Sequence, residues 1–326
     1  MQEAAFYVEE ENGFRCTLCP HFCTLDAGAG GKCGVRKNIG GRLIALNYGK
    51  IAALALDPIE KKPLYHFFPG SSILSAGTIG CNFGCDFCQN WQLARGKAPT
   101  QDISPWDLIS RAQKPDNTGL AFTYAEPLMW YEFIREVLPL LREKGLKTVL
   151  VTNAYLNPEP LQELLPYIDA VNIDIKTFST GTYHRFCSGD LNRVLQNTLL
   201  FKRHCHVEIT TLIIPGINEN IAEIGRLVDW IKDELGRETP LHLSRYFPAY
   251  RMQNPPPTLE HLVDLYEMAR EKLPYVYLGN ITDARYRHTY CPQCDYPVIK
   301  RDFAVDIQLS AGNTCPRCGQ FINITN

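Results

Sequence analysis

Three cysteines in the segment Cys81-Asn-Phe-Gly-Cys85-Asp-Phe-Cys88 stand at C-x3-C-x2-C spacing. Three thiolates on one short loop suit three irons of a four-iron four-sulfur cluster, a group that ordinarily takes four cysteines. Such a loop leaves one iron free for another ligand. Spacing alone leaves open a fourth ligand elsewhere in the chain, and also a zinc site, although zinc knuckles favour paired C-x2-4-C. Two more clusters flank this one, Cys16-x2-Cys19-x3-Cys23-x9-Cys33 and Cys291-x2-Cys294-x20-Cys315-x2-Cys318. Four thiols in a small Gly-rich loop can complete a tetrahedral site, and the paired knuckles match a zinc-ribbon pattern. Both quartets are expected to be closed four-thiolate sites. Zinc is expected in the second, although a rubredoxin-like iron would use similar knuckles. In the first, zinc is slightly preferred to an auxiliary iron–sulfur cluster that relays electrons.

These clusters divide the chain into three zones. Residues 1–70 are rich in Gly and Cys and carry little helical periodicity. Residues 71–282 alternate short apolar runs with amphipathic stretches. The runs are Ile73–Ile79, Leu120–Tyr124, Thr148–Asn153, Ala170–Lys176, Val207–Ile214, Leu241–Phe247 and Val276–Ile281. Helices are expected over Leu128–Lys144, Leu161–Ile168, Arg193–His204, Ile221–Leu235 and Leu259–Leu273, several behind a capping residue or Pro. Strands alternating with helices imply a parallel sheet, either a partial barrel or a doubly wound sheet. Residues 283–326 carry the paired knuckles.

Ligands in parallel α/β folds bind at the C-terminal strand ends. One such end carries Glu126, the next Thr152-Asn153, the next Asn172-Ile-Asp174-Ile-Lys176. Alternation puts Asn172, Asp174 and Lys176 on one face, where burial would be costly unless they are paired or liganded. The sixth strand carries His242, expected to be a satisfied core histidine, and Arg245 near its end.

Whole-chain properties exclude several classes. A net charge of −2 over 326 residues makes no electrostatic case for nucleic acid or a membrane surface. No apolar run approaches the ~18 residues of a membrane span. The acidic start, Met1–Asn12, lacks a signal-peptide pattern. A cytoplasmic location follows as the expectation, and there the 13 cysteines read as metal ligands rather than disulfides.

The cysteine loop after a first strand, with Phe87 before its last cysteine, resembles the radical S-adenosylmethionine (SAM) superfamily. That resemblance implies a partial (β/α)6-type barrel with small cysteine-rich metal-binding extensions at both ends. It also implies that the open iron binds the amino and carboxylate groups of SAM, which is cleaved to methionine and a 5′-deoxyadenosyl radical that abstracts hydrogen. Tyr124-Ala125-Glu126-Pro127 resembles the Gly-Gly-Glu-Pro segment that holds the SAM amino group, with Tyr-Ala in place of Gly-Gly. Val151-Thr152-Asn153 is similar to the Thr-Asn-Gly of glycyl-radical-enzyme activases. Their Asp-x-Lys is matched by Asp174 and Lys176, which implies contacts to the ribose hydroxyls and the SAM carboxylate. Pro215-Gly216 resembles a turn near adenine, where Phe87 is also a candidate, and Arg245 is the candidate cation for the carboxylate. Cys187 is a weak candidate hydrogen-atom donor, and Tyr124 and Tyr246 are weaker ones.

All three zones together, including Asp57-Pro-Ile-Glu-Lys-Lys-Pro-Leu-Tyr-His-Phe-Phe-Pro-Gly70, resemble the radical SAM enzymes of the AmmeMemoRadiSam system, relatives of pyruvate formate-lyase activating enzymes. The resemblance implies a flavodoxin or ferredoxin electron donor, and Memo-type and AMMECR-type proteins as partners. Three functions follow as alternatives: a radical SAM enzyme acting on a small molecule or protein side chain, an activase that installs a glycyl radical, and a non-catalytic metal-binding interaction protein. The set Glu126, Asn153, Asp174 and Lys176 argues against the last.

Overall fold

A computed structural model describes all residues, 1–326. Its centre is one eight-stranded sheet whose strands lie side by side in chain order. They are β1 (Ala53–Pro58), β2 (Ser72–Gly77), β3 (Asn117–Phe122), β4 (Lys147–Thr152), β5 (Ala170–Asp174), β6 (His206–Ile213), β7 (Leu241–Arg245) and β8 (Val276–Gly279). Strands β2 to β8 are parallel, and β1 adds an antiparallel edge on β2. The two ends of the sheet do not pair, so the barrel stays partial.

The parallel strands read as apolar runs because the helices that return the chain bury them. The helices are α1 (Pro105–Ala112), α2 (Tyr131–Glu143), α3 (Pro158–Leu164), α4 (Thr180–Cys187), α5 (Leu191–His204), α6 (Ile221–Trp230) and α7 (Leu259–Arg270). Local chemistry fixes their starts. Ser104 and Asp107 form a reciprocal capping box at α1. Asn220 Oδ1 accepts from Ala222 N at α6, and Thr258 Oγ1 from His261 N at α7. Helix α2 buries Phe133, Ile134, Val137, Leu138 and Leu141 on the three-and-four spacing of an amphipathic face. No helix is long and apolar enough to cross a membrane.

Two small β assemblies precede the barrel. One pairs Tyr7–Glu10, Gly13–Cys16 and Thr24–Asp26; the other pairs Gln2–Glu3, Arg42–Ala45 and Arg36–Ile39. Their apolar residues Phe14, Leu18, Leu25, Val35 and Leu43 join the main core. At the other end, Thr289–Tyr290, Pro297–Arg301 and Val305–Ile307 form a separate three-stranded ribbon. It packs Val298, Ile299, Ile322 and Ile324 against Tyr275 and Tyr277 in a small core of its own.

The segment from 57 to 70 closes the barrel from below. Buried Glu208 on β6 accepts the backbone N–H of Tyr65 (2.8 Å) and His66 (2.7 Å), with ring nitrogens of His206 (3.0 Å) and His242 (2.6 Å). Burial would raise its carboxyl, but the two histidines outweigh that and hold it well below the usual range. His242 is thus a satisfied core histidine. His66 bridges Asn323 O (2.8 Å) and Tyr277 Oη (2.6 Å), so one side chain ties this segment to β8 and the C-terminus. Asn172 Nδ2 donates to Pro63 O at 2.8 Å. Asn172, Glu208 and His242 each lie two residues before a polar residue at the barrel mouth: Asp174, Thr210 and Ser244.

Candidate active site

The strand ends and the cysteine loop border a cavity of about 360 Å3. Cys81, Cys85, Phe87 and Cys88 line it together with Glu126, Asn153, Asp174 and Lys176. The loop is held from several sides. Asn82 is buried, donates to Tyr155 O (2.7 Å), and offers its own carbonyl to His21 (2.7 Å). Gly84 N donates to Cys187 O (2.8 Å) at the end of α4. No three of the Cys81, Cys85 and Cys88 sulfurs and their neighbouring ligand atoms come within 4.8 Å of one another, unlike the tight grouping of a tetrahedral four-thiolate site. Three thiols set apart around a cavity fit a cluster in which each binds a different iron.

Glu126 sits at the end of the β3 connection, with Oε1 accepting from Thr152 Oγ1 (2.6 Å) and Leu128 N (3.2 Å), and Oε2 from Asn153 N (2.8 Å). Burial outweighs these bonds and pushes the carboxyl up to about 7. A carboxylate has about four lone-pair sites, so one remains for a further donor. Asn153 Nδ2 donates to Asn82 Oδ1 (2.9 Å) and lies 4.0 Å from Cys81 Sγ, which fastens the loop to β4.

Lys176 Nζ lies 2.7 Å from Asp174 Oδ2. Burial would lower the ammonium, but Asp174 and Cys85 outweigh it and raise it above its ordinary value. Ile173 and Ile175, which alternate with Asp174 and Lys176, are fully buried on the other face, as strand alternation requires.

Two strand ends are conformationally unusual. Tyr124 has φ 74° and Ala154 has φ 55°, left-handed backbone that disfavours side chains. These are positions where the resembling motifs carry glycine. The backbone shape is therefore kept without the residue that makes it easy, a strain typical of functional strand ends. At Gly77 no such substitution fits: a Cβ would lie 2.6 Å from Thr123 O.

Other candidate residues fall outside the lining. Arg245 directs Nε to Pro257 O (3.0 Å) and its guanidinium over Phe247. Its neighbour Ser244 faces the cavity instead, with Asn280 from beyond β8. Cys187 is fully buried behind the loop, where its thiol adjoins Cys85. Tyr246 is buried and donates to Met252 O (2.9 Å). Tyr124 does line the cavity, with its hydroxyl donating to Asp57 (3.2 Å). Thr210 was not anticipated by motif. Its buried Oγ1 has no partner and lines the cavity beside Asp174, its register neighbour.

The flanking quartets differ. Cys291, Cys294, Cys315 and Cys318 bring all four sulfurs within 4.8 Å, with pairs at 3.5 and 3.6 Å. This is a four-cysteine metal site, built on two matching knuckles in which Asp295 N and Gly319 N donate back to Cys291 O and Cys315 O. Cys16, Cys19, Cys23 and Cys33 line one cavity, but no three of their sulfurs meet that limit.

An open parallel barrel with a three-thiol loop after its first parallel strand, and polar strand ends converging on that loop, is the α/β radical SAM fold. The radical SAM superfamily profile matches residues 76–231. An uncharacterised protein of Methanocaldococcus jannaschii is 40% identical over 337 aligned positions, covering 99% of both chains. The chain belongs to the radical SAM superfamily. The pyruvate formate-lyase-activating enzyme of Clostridium pasteurianum is 27% identical over 161 residues, covering 47% of this chain and 67% of the relative. Among solved structures, a radical SAM methyltransferase from Sphaerobacter thermophilus superposes with a TM-score of 0.52 at 13% identity, over 65% of this chain and 67% of that one. That likeness concerns the fold.

Proposed function

We propose that Cys81, Cys85 and Cys88 hold a four-iron four-sulfur cluster with one open iron, and that the chain abstracts hydrogen from a small molecule or a protein side chain. The observation that carries this reading is the common lining of one cavity by three widely set thiols and by Glu126, Asp174 and Lys176. When bound, the cluster and SAM would supply one-electron cleavage to methionine and a 5′-deoxyadenosyl radical. The chain's own part is positioning. Glu126 keeps a lone-pair site for the SAM ammonium. Lys176 offers its charge to the carboxylate, and Asp174 accepts from the ribose hydroxyls. Asn153 holds the loop in register, and Phe87 gives the adenine an apolar wall.

A second cavity of about 780 Å3 shares Pro63, Ser244 and Asn280 with the first and is bordered by Arg287, Arg301 and Phe303 of the C-terminal segment. This supports a substrate that approaches beside the ribbon, rather than a loop of a large protein entering the mouth. The local similarity to the Clostridium activating enzyme favours the second reading, an activase. Electrons would come from a flavodoxin or ferredoxin, as activating enzymes of this type ordinarily use. The resemblance to the AmmeMemoRadiSam enzymes adds Memo-type and AMMECR-type partners.

The test is anaerobic reconstitution followed by reductant and SAM. The reading expects 5′-deoxyadenosine and methionine, and their absence would refute it. A glycyl-radical EPR doublet on a co-purified partner would select the activase.

A further inference from the structure

We propose that Cys16, Cys19, Cys23 and Cys33 bind a second four-iron four-sulfur cluster, fully ligated by cysteine and packed against the Cys81 loop. The first argument is spacing. A zinc ion with bonds of about 2.3 Å draws its thiolates to about 3.8 Å of one another. The C-terminal quartet already has that geometry, at 3.5 and 3.6 Å. The N-terminal four line one small cavity, with no three sulfurs inside 4.8 Å. They share this wide setting with Cys81, Cys85 and Cys88. A cubane separates its thiolates because each binds a different iron. Of the two alternatives open from sequence, zinc and an auxiliary iron–sulfur cluster, this spacing favours the cluster.

The second argument is the surroundings. Cys16, Cys19 and Cys33 are buried, and Leu18 and Met129 complete an apolar wall. Buried Arg36 reaches the site with Nη1 at 3.8 Å from Cys16 Sγ, and Glu132 pairs with its other end. The Arg36 N–H directed at a ligand sulfur is the kind of outer contact that tunes the potential of an iron–sulfur cluster.

The third argument is position. Cys81 N donates to Cys33 O at 3.3 Å, so one ligand's peptide group touches the other's. Gly80 has φ 100°, and a Cβ there would lie 2.5 Å from the Val35 side chain. The two sites are thus separated by a single layer of backbone. Placed so, the N-terminal site relays electrons. It takes one electron from a reduced low-potential carrier protein and passes one to the Cys81 site for each SAM cleaved, returning to its oxidised form. This role rests on the proposed SAM chemistry; the presence of the cluster does not.

The test is metal and sulfide analysis with EPR on the full chain, prepared anaerobically. The variant Cys81→Ala/Cys85→Ala/Cys88→Ala is expected to keep about four irons and four sulfides, with an EPR signal on reduction. Zinc without iron at the N-terminal site in that variant would overturn the proposal. Should that variant fail to fold, the wild-type chain decides. About eight irons support the second cluster, whereas about four irons with two zincs refute it. A wild-type chain with about eight irons that left SAM intact would retain the cluster and defeat only the SAM reading.

Discussion

The two four-cysteine regions have the same ligand count and opposite architectures. The C-terminal quartet is tight and sits in a small core of its own, between the ribbon and two tyrosines of the sheet edge. The N-terminal quartet is wide and belongs to the main core, with Cys85 and Phe87 of the loop in the same cluster of buried residues. A ribbon with so small a core needs a metal as a staple. The N-terminal segment already has apolar support from Leu18, Val35 and Leu43, so its thiols are free to serve chemistry. Ligand number, then, says less about a cysteine site than how far apart the fold holds the sulfurs and what lies next to them.

The largest effect should come from breaking the staple. Cys315→Ala removes one of four ligands from a site whose binding can supply on the order of 10 kcal/mol of folding free energy. Limited proteolysis should then open residues 289–325, while the Cys81 loop and SAM cleavage survive. An unchanged digestion pattern would mean that the ribbon stands without its metal.

Next in size is the carboxylate that fastens the ribbon side to the barrel. Glu208→Ala leaves the Tyr65 and His66 amides and two histidines without their acceptor. Breaking a buried, paired charge costs about 3–5 kcal/mol. Chemical denaturation should show a loss of that order. A loss below about 1 kcal/mol would place the hold on segment 57–70 elsewhere.

Lys176→Ala tests the mouth rather than the supports. A charge-assisted hydrogen bond contributes about 1.5–3 kcal/mol, so SAM affinity by anaerobic titration should fall roughly tenfold or more. Unchanged affinity would show that the Asp174–Lys176 pair is only structural.

The smallest effect concerns pH. Burial pushes His66 down to about 3 from its ordinary 6.5. The unfolded chain takes up a proton below about 6.5 that the folded chain refuses until about 3. The stability His66 contributes is therefore complete above pH 6.5 and is lost as pH falls through that window, by at most about 1.4 kcal/mol per pH unit. Melting should fall between pH 7 and 5.5, and His66→Gln should flatten that slope. An unflattened slope would assign it to other groups.

Much of the barrel was legible because parallel strands buried on both faces write themselves as apolar runs, each ending near a polar residue. Alternation placed Asp174 and Lys176 together for the same reason. It also explains Arg245. Ser244 shares the parity of His242 and faces inward, whereas Arg245 lies one step out of phase, and closeness to the strand end does not change that. Strand β1 was hidden because Ala53–Pro58 is a partly exposed edge followed only by a single 3-10 turn, Ile59–Lys61. Helix α1 was signalled by Ser104-Pro105-x-Asp107 but is only eight residues long. Thr210 had no motif at all; only its register beside Asp174 reveals it. The spacing of the Cys16 quartet was not legible either, since sequence gives the number of ligands and not the distance between them.

The central claim is that the Cys81 loop carries the SAM-cleaving centre while the two quartets do not. The most direct measurement is 5′-deoxyadenosine formed from SAM by the reduced, reconstituted wild-type chain and by Cys81→Ala/Cys85→Ala/Cys88→Ala, each with its iron content counted. The account predicts product from the wild type and none from the variant, although the variant still contains iron. Product from the variant at the wild-type rate would contradict it.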